Sequence, residues 1–387
     1  MGDFEAIRPY QDTEVAGVIS RLLKDPEFLN TLIRFRFPWA PQSLAVVLRP
    51  LLGRYLRQNF GGINSVADVQ VKIKPYLDHI IEKATDGVTF SGMEQLRLDQ
   101  PYLFMSNHRD IVMDPAFTNY AVFMAGLQTP RIAIGDNLLQ KPFISDLMRV
   151  NKSFIVHRSL SNRREKLAAF AQLSAYIDHS LHQDGASIWI AQAEGRAKDG
   201  NDHTDSAILK MLHMSRKEEP FSQVVQDLHI VPLSISYEYD PCDQLKAREL
   251  YTLATTGSYQ KLPGEDDASI ARGITGYKGR VHMAFCEPIT GEFTDAKSLS
   301  QEIDRRIITA YHLYPVNYLA YGQCRQADPQ LTLPPIESLF GRAELERAKA
   351  QWQRRFNSCP PEQRPFLIEQ YANPVRNHYR LIAEPVS

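Results

Sequence analysis

The sequence predicts an α/β protein: a mixed central sheet flanked by helices, preceded by an N-terminal helical segment and followed by a C-terminal one. Three observations predict it. Apolar residues recur at helical spacing before residue 86. From about residue 87, short runs rich in β-branched and aromatic residues alternate with helical stretches. Helical spacing interrupted by prolines returns after residue 296. Strands that alternate with helices are expected to build an α/β layer structure.

In the first segment, Leu44, Val47, Leu48, Leu51, Leu52, Tyr55 and Leu56 follow a helical period. Pro50 interrupts the stripe. It lacks an N–H and clashes with the preceding turn, so it is expected to kink or restart the helix. β-rich runs follow at 102–106, 131–135, 153–157, 186–191, 228–236 and 281–285. Among the helical stretches between them, 164–181 carries Leu167, Phe170, Leu173, Ile177 and Leu181 on one side. Pro232 argues for a strand start or an edge position, because it has no N–H for a ladder bond. A last helical stretch opens at 297–314. The expected organisation is therefore 1–86 helical, 87–295 α/β and 296–387 helical.

The composition narrows the possibilities. A chain of 387 residues can bury one or two cores, and 43% hydrophobic with 23% charged residues excludes a disordered chain. The balance of 44 Lys+Arg against 45 Asp+Glu gives −1, so no global excess directs the chain to nucleic acid. Cys242, Cys286, Cys324 and Cys359 are far apart, which argues against a disulfide framework or zinc knuckle and fits a reducing compartment. No apolar run approaches 18 residues and the N-terminus has no charged start before an apolar core. Neither a transmembrane helix nor a signal peptide is expected.

Four segments carry candidate chemistry. In the first, His108 emerges just after the run 102–106, where α/β proteins place reactive groups. An imidazole there can act as a general base if a carboxylate fixes its tautomer, and Asp110 and Asp114 are both near. Asp114 followed by Pro115 also suits the N-cap and first position of a helix. The second segment ends a β-run in His157 and Arg158, cations suited to a phosphate or to a solvated helix start. In the third, a buried run leads into Glu194, Gly195 and Arg196, followed by Lys198. Gly195 permits a sharp turn, and the two cations could clamp an anion or merely pair on the surface. The fourth, from His229 to Tyr237, reads as core. His108, Asp110 and Asp114 lack the His-rich spacing of a metal site, so no metal is expected.

Taken in order, these segments resemble the four sequence blocks of the glycerolipid acyltransferase superfamily, which includes glycerol-3-phosphate and lysophosphatidate acyltransferases. Asn107, His108 and Asp114 match its Asn-His-x4-Asp block. Phe154, Ile155 and Arg158 match the second, Glu194, Gly195 and Arg196 the third, and Val231 with Pro232 the fourth. The resemblance covers roughly 86–290, including a lead-in strand from Val88 and a final strand after Tyr277. It is similar above all to the soluble plastid glycerol-3-phosphate acyltransferase. Two departures stand out: five residues separate His108 from Asp114 where the family has four, and Arg196 sits one place early.

The resemblance implies acyl transfer from acyl-CoA or acyl carrier protein to a hydroxyl of glycerol-3-phosphate or lysophosphatidate, with no cofactor beyond that co-substrate. His108 would act as base with Asp114. His157, Arg158, Glu194, Gly195, Arg196 and Lys198 would bind substrate, the cations taking the acceptor phosphate. Water as acceptor, giving a thioesterase, and a silent lipid-binding module are the rival readings. Lipid products imply a membrane. Residues 31–60 carry Arg34, Arg36, Arg49, Arg54, Arg57, Phe35, Phe37 and Trp39 with no Asp or Glu, a composition suited to an anionic bilayer surface. A cytoplasmic protein, peripheral at the inner face of the membrane, is the expected location.

Overall fold

The structure is a computed structural model and describes residues 4–37, 42–324 and 331–383. Seven strands occur among them: β1 Val88–Ser91, β2 Leu103–Ser106, β3 Arg131–Gly135, β4 Ser153–Val156, β5 Ile188–Ala191, β6 Ile230–Tyr237 and β7 Val281–Phe285. Six match the expected β-rich runs within two residues at each end, and β1 is the lead-in strand. The chain divides into two compact units, 1–78 with 130–177 and 79–129 with 178–387. This division and the three segments drawn from sequence texture follow different lines.

The first unit is largely helical around the parallel pair β3–β4. Its helices Asp12–Leu22, Pro26–Arg36 and Gln42–Phe60 bury Val15, Val18, Leu22, Leu29 and Leu56 together with Phe143 and Val150. Each such side chain contributes roughly 1.5–3 kcal/mol when fully removed from water. The helix at Pro26 starts where it does because the Asp25 carboxylate accepts the N–H groups of Glu27 and Phe28, with proline in the first turn. The helix Gln42–Phe60 runs through Pro50, so of the expected kink or restart the restart does not occur. Leu52 and Leu56, two and six residues on, pack against the core on the far side of the proline.

The second unit carries the strand order β1-β7-β6-β2-β5. β2 pairs in parallel with β5 and β6, β1 with β7, while β6 and β7 run antiparallel, so the sheet is mixed. All four residues of β2 and of β5 are buried, as near-continuous apolar interior strands require. Pro232 lies inside β6, an interior strand, rather than at a strand start or a sheet edge. It is tolerated because the β6–β7 ladder begins only at Leu233. Beyond that point the departing chain turns donors toward β6: Cys286 N–H bonds the Pro232 carbonyl and Ile289 N–H that of Ile230. The proline's missing N–H thus falls where no ladder partner waits for it.

The C-terminal helices Pro315–Gln323, Arg342–Ser358 and Arg364–Ala383 close over a cluster of Tyr314, Val316, Trp352, Leu367, Tyr371 and Val375. Buried Asp243 ties two of them together, accepting from Arg355 at 2.6 Å and from the Tyr371 hydroxyl at 2.8 Å. Asn373 donates to the Asp199 carbonyl at 2.7 Å, binding the last helix to the loop that follows Arg196.

Candidate active site

His108 stands two residues past the end of β2, and Asn107 fixes that strand end. The Asn107 side chain is fully buried and reads the β6 backbone in both directions, donating to the Ile235 carbonyl at 3.0 Å and accepting its N–H at 2.7 Å. Only an amide presents a donor and an acceptor side by side in this way.

The Asp114 carboxylate, fully buried, lies 2.8 Å from His108 Nδ1. The same oxygen accepts the backbone N–H groups of Arg109 at 2.6 Å and Asp110 at 2.9 Å, and the other accepts the Tyr237 hydroxyl at 2.8 Å. Four donors converging on two oxygens is a set that an acceptor-only carboxylate satisfies. Nδ1 is the proton-bearing nitrogen in this arrangement, which leaves Nε2 as the basic one. Burial, with the Asp114 charge behind it, pushes the Tyr237 phenol well above its ordinary 10.0, so it remains a donor.

The two aspartates divide the labour. Asp110 accepts the N–H groups of Val112 and Met113 at 3.0 and 2.9 Å and so caps the helix Met113–Met124. Asp114 is not the N-cap of that helix, as the Asp-Pro pair suggested, but sits in its first turn with Val112 at the cap. The extra residue between His108 and Asp114 is absorbed in the 109–112 turn, which both carboxylates hold.

A third carboxylate grips the histidine loop. Asp202 accepts from Asn107 Nδ2 at 3.1 Å, from Arg109 at 2.5 Å and from the Tyr311 hydroxyl. Asn107 and Arg109 bracket His108, so Asp202 holds both of its neighbours. Burial opposes the Arg109 charge, but Asp202, with Tyr311, Asp240 and Asp114, holds the guanidinium above its ordinary range. Lys246 donates to the Arg109 carbonyl at 2.9 Å and to Asp240. Trp189 on β5 sets its indole edge-on to the His108 ring, centroids 6.0 Å apart.

The Glu194–Arg196 turn joins this loop through the Ala197 N–H, which donates to the His108 carbonyl at 3.0 Å. Gly195 has φ +79°, the left-handed turn expected of it. Glu194 is exposed. Lys198 is paired with Glu249 at 2.6 Å, whereas Arg196 has no hydrogen-bonded or ion-paired partner among the described residues. His157 and Arg158 belong to the other unit. There Asp136 accepts the N–H of Arg158 at 3.1 Å and faces His157 Nδ1 at 3.5 Å, leaving the Arg158 guanidinium uncommitted among the described residues. No trio of His, Cys, Asp or Glu arranged to hold a metal occurs among the described residues.

Sequence reasoning missed Arg109, Asp202, Tyr237 and Tyr311. Tyr237 closes a strand that reads as core throughout, and Asp202 lies 95 positions from Asn107.

A family model described as Acyltransferase matches residues 87–236. The bovine (Bos taurus) dihydroxyacetone phosphate acyltransferase is 23% identical over 207 residues, 52% of this chain and 29% of its own length. The Homo sapiens protein of the same name is 22% identical over 232 residues, 59% of this chain and 31% of its own. The match thus spans under a third of these relatives. Among solved structures, the 1-acyl-sn-glycerophosphate acyltransferase PlsC from Thermotoga maritima aligns with a TM-score of 0.35 at 14% identity, covering 73% of this chain and 95% of that one. The segment 87–236 that matches the Acyltransferase family model holds His108, Asp114 and the Gly195 turn.

Proposed function

We propose that the protein transfers a fatty acyl group from an acyl thioester, acyl-CoA or acyl carrier protein, to a hydroxyl of glycerol-3-phosphate or lysophosphatidate. The observation that carries this reading is the 2.8 Å contact between His108 Nδ1 and a carboxylate saturated by donors. It leaves Nε2 free to take a proton and supplies a negative charge to stabilise the imidazolium that results. The curated relatives, named for a glycerol-phosphate-sized acceptor, support a small phosphorylated substrate.

The step is a direct displacement. His108 Nε2 removes the proton of the acceptor hydroxyl as its oxygen bonds to the thioester carbonyl carbon. The tetrahedral intermediate collapses with cleavage of the C–S bond, and the imidazolium returns the proton to the departing thiolate. Positioning of the two substrates supplies much of the acceleration. The exposed turn at Gly195 is suited to offer backbone N–H groups to the oxyanion. Arg196, which has no hydrogen-bonded or ion-paired partner among the described residues, remains available to a phosphate. Lys198 is already neutralised by Glu249.

Residues 31–60 serve the lipid side of the reaction. On the helix Gln42–Phe60, Val46, Val47, Leu51 and Tyr55 are exposed at 62, 61, 64 and 54%, with Arg54 and Arg57 exposed beside them. Exposed apolar side chains flanked by arginines suit the headgroup layer of an anionic bilayer, giving peripheral contact. Trp39 lies outside the described residues. Among those described, no helix is long and apolar enough to cross a membrane.

The test is thiol release from palmitoyl-CoA, and from palmitoyl-acyl carrier protein, with glycerol-3-phosphate, lysophosphatidate or no acceptor. Acceptor-dependent release that falls at least about 100-fold in His108→Ala is expected. Release without any acceptor would make the enzyme a thioesterase, and silence with both donors would refute the reading.

A further inference from the structure

The segment that matches the family model ends at residue 236, yet the loop after the Gly195 turn is held from beyond it. Asp304 of the helix Ala296–Thr309 accepts the Thr204 N–H at 2.7 Å and the Thr204 hydroxyl at 2.5 Å. Tyr311, two residues past that helix, donates its hydroxyl to Asp202. Asn373 of the helix Arg364–Ala383 donates to the Asp199 carbonyl. Gly200, at φ +78°, lies so close to the same helix that a β-carbon would stand 2.3 Å from the Gln370 carbonyl oxygen. Residues 199–204 are thus anchored along their length by the C-terminal segment.

What this anchoring fixes is the Asp202 carboxylate, in a residue only 6% exposed. Its Oδ2 takes all three donors, Asn107 Nδ2, Arg109 Nη2 and the Tyr311 hydroxyl. Its Oδ1 is buried without a hydrogen-bond partner among the described residues. Burial and the Asp202 charge raise the Tyr311 phenol well above its ordinary 10.0, so it remains a donor.

The three donors are not equivalent. Asn107 and Arg109 flank His108 and are what Asp202 holds. Tyr311 is the donor from outside that loop, and with Oδ1 unpartnered no other donor takes its place. Without its hydroxyl, the carboxylate would be held only by the loop it has to hold. Asp114 sets the proton on the His108 ring, whereas Asp202 sets where the backbone places that ring.

We propose that Asp202 and Tyr311 are positioning residues for His108, so that the C-terminal segment works in the reaction through one phenol. The inference rests on the acyl-transfer reading and deepens it. Displacing a catalytic group by about 1 Å costs up to roughly 100-fold in rate. A residue that acts through another loses its effect once that other is removed, so the substitutions are non-additive.

The experiment measures palmitoyl transfer from CoA or acyl carrier protein to glycerol-3-phosphate and to lysophosphatidate, with product read by mass spectrometry. Full-length wild type, Tyr311→Phe, His108→Ala and the double variant are compared. Tyr311→Phe is expected to lower kcat about 10-fold with both KM values within about 3-fold. Added to His108→Ala, it should cost less than about 2-fold more. Asp202→Glu keeps the charge opposite Arg109 while moving the grip by one methylene. It should show the same pattern, so the comparison stands even if Tyr311→Phe does not fold. A folded variant with kcat within about 2-fold of wild type overturns the proposal. So does an undiminished loss in the His108→Ala background, or a rise in KM at unchanged kcat. If the wild type transfers palmitate to neither acceptor, the acyl-transfer reading fails and takes the proposal with it. If transfer occurs and the coupling to His108 is absent, the proposal alone fails.

Discussion

Asp114→Asn isolates the charge behind the histidine. The asparagine can keep a carbonyl oxygen toward His108 Nδ1 and the N–H groups of Arg109 and Asp110, and present its NH₂ to the Tyr237 oxygen, whose hydroxyl can rotate to accept. The shape of the site survives, and the negative charge does not. With Nδ1 2.8 Å from the carboxylate oxygen, the charge centres of imidazolium and carboxylate are about 4 Å apart. His108 keeps 15% side-chain exposure, so an effective dielectric near 20 applies and the attraction is about 4 kcal/mol. That converts to a loss of roughly 10³ in kcat. KM for the thioester and the acceptor should stay within about 3-fold, because Asp114 meets neither. Neutralising an acceptor of two backbone N–H groups should also lower unfolding free energy by about 2 kcal/mol. Thiol release under saturating substrates, beside denaturant unfolding, measures both. A folded Asp114→Asn enzyme whose kcat lies within 10-fold of wild type would refute the reasoning.

Three further outcomes follow from the same contacts. Asp110→Asn should leave kcat within about 3-fold, since an amide oxygen can still cap Val112 and Met113. Burial, helped by Asp114, holds the Asp110 carboxyl above its ordinary 3.8, so its folded form retains a proton the unfolded chain releases. Wild-type stability from this group therefore falls as pH rises above about 4, and the variant's advantage in denaturant unfolding should grow over that range. Asp146 behaves oppositely. Burial opposes its charge, but Arg21 at 2.7 Å and the Tyr10 hydroxyl at 2.7 Å hold it below 3.8. Its stabilisation is full above 3.8 and is lost as pH falls through the folded value, so Asp146→Asn should flatten the acid limb of the stability curve. Leu51→Asp should reduce sedimentation with anionic phosphatidylglycerol vesicles several-fold at low salt while leaving turnover of water-soluble substrates unchanged; unchanged sedimentation would remove the helix Gln42–Phe60 from the membrane contact.

What the sequence made legible was local. β2 and the histidine that follows it could be read because four consecutive buried positions end in a polar loop, and the Gly195 turn because the chain needs a positive φ there. The choice between Asp110 and Asp114 could not be read, since it depends on how the 109–112 turn folds back. Asp202 was invisible for a related reason: it meets Arg109 and Tyr311 across 93 and 109 positions, and a lone aspartate in a loop carries no periodic signal. Pro232 misled for a related reason. The rule for proline concerns its own N–H and ring, whereas its fate here depends on where a neighbouring ladder begins.

The central claim is that His108 takes the proton of an acceptor hydroxyl as the acyl group moves. Its most direct test is mass-spectrometric detection of the acylated glycerol phosphate formed by wild type and by His108→Ala, both checked for native circular dichroism. The account predicts product from the wild type and at least about 100-fold less from the variant, with thioester binding retained. Equal product from His108→Ala would contradict it.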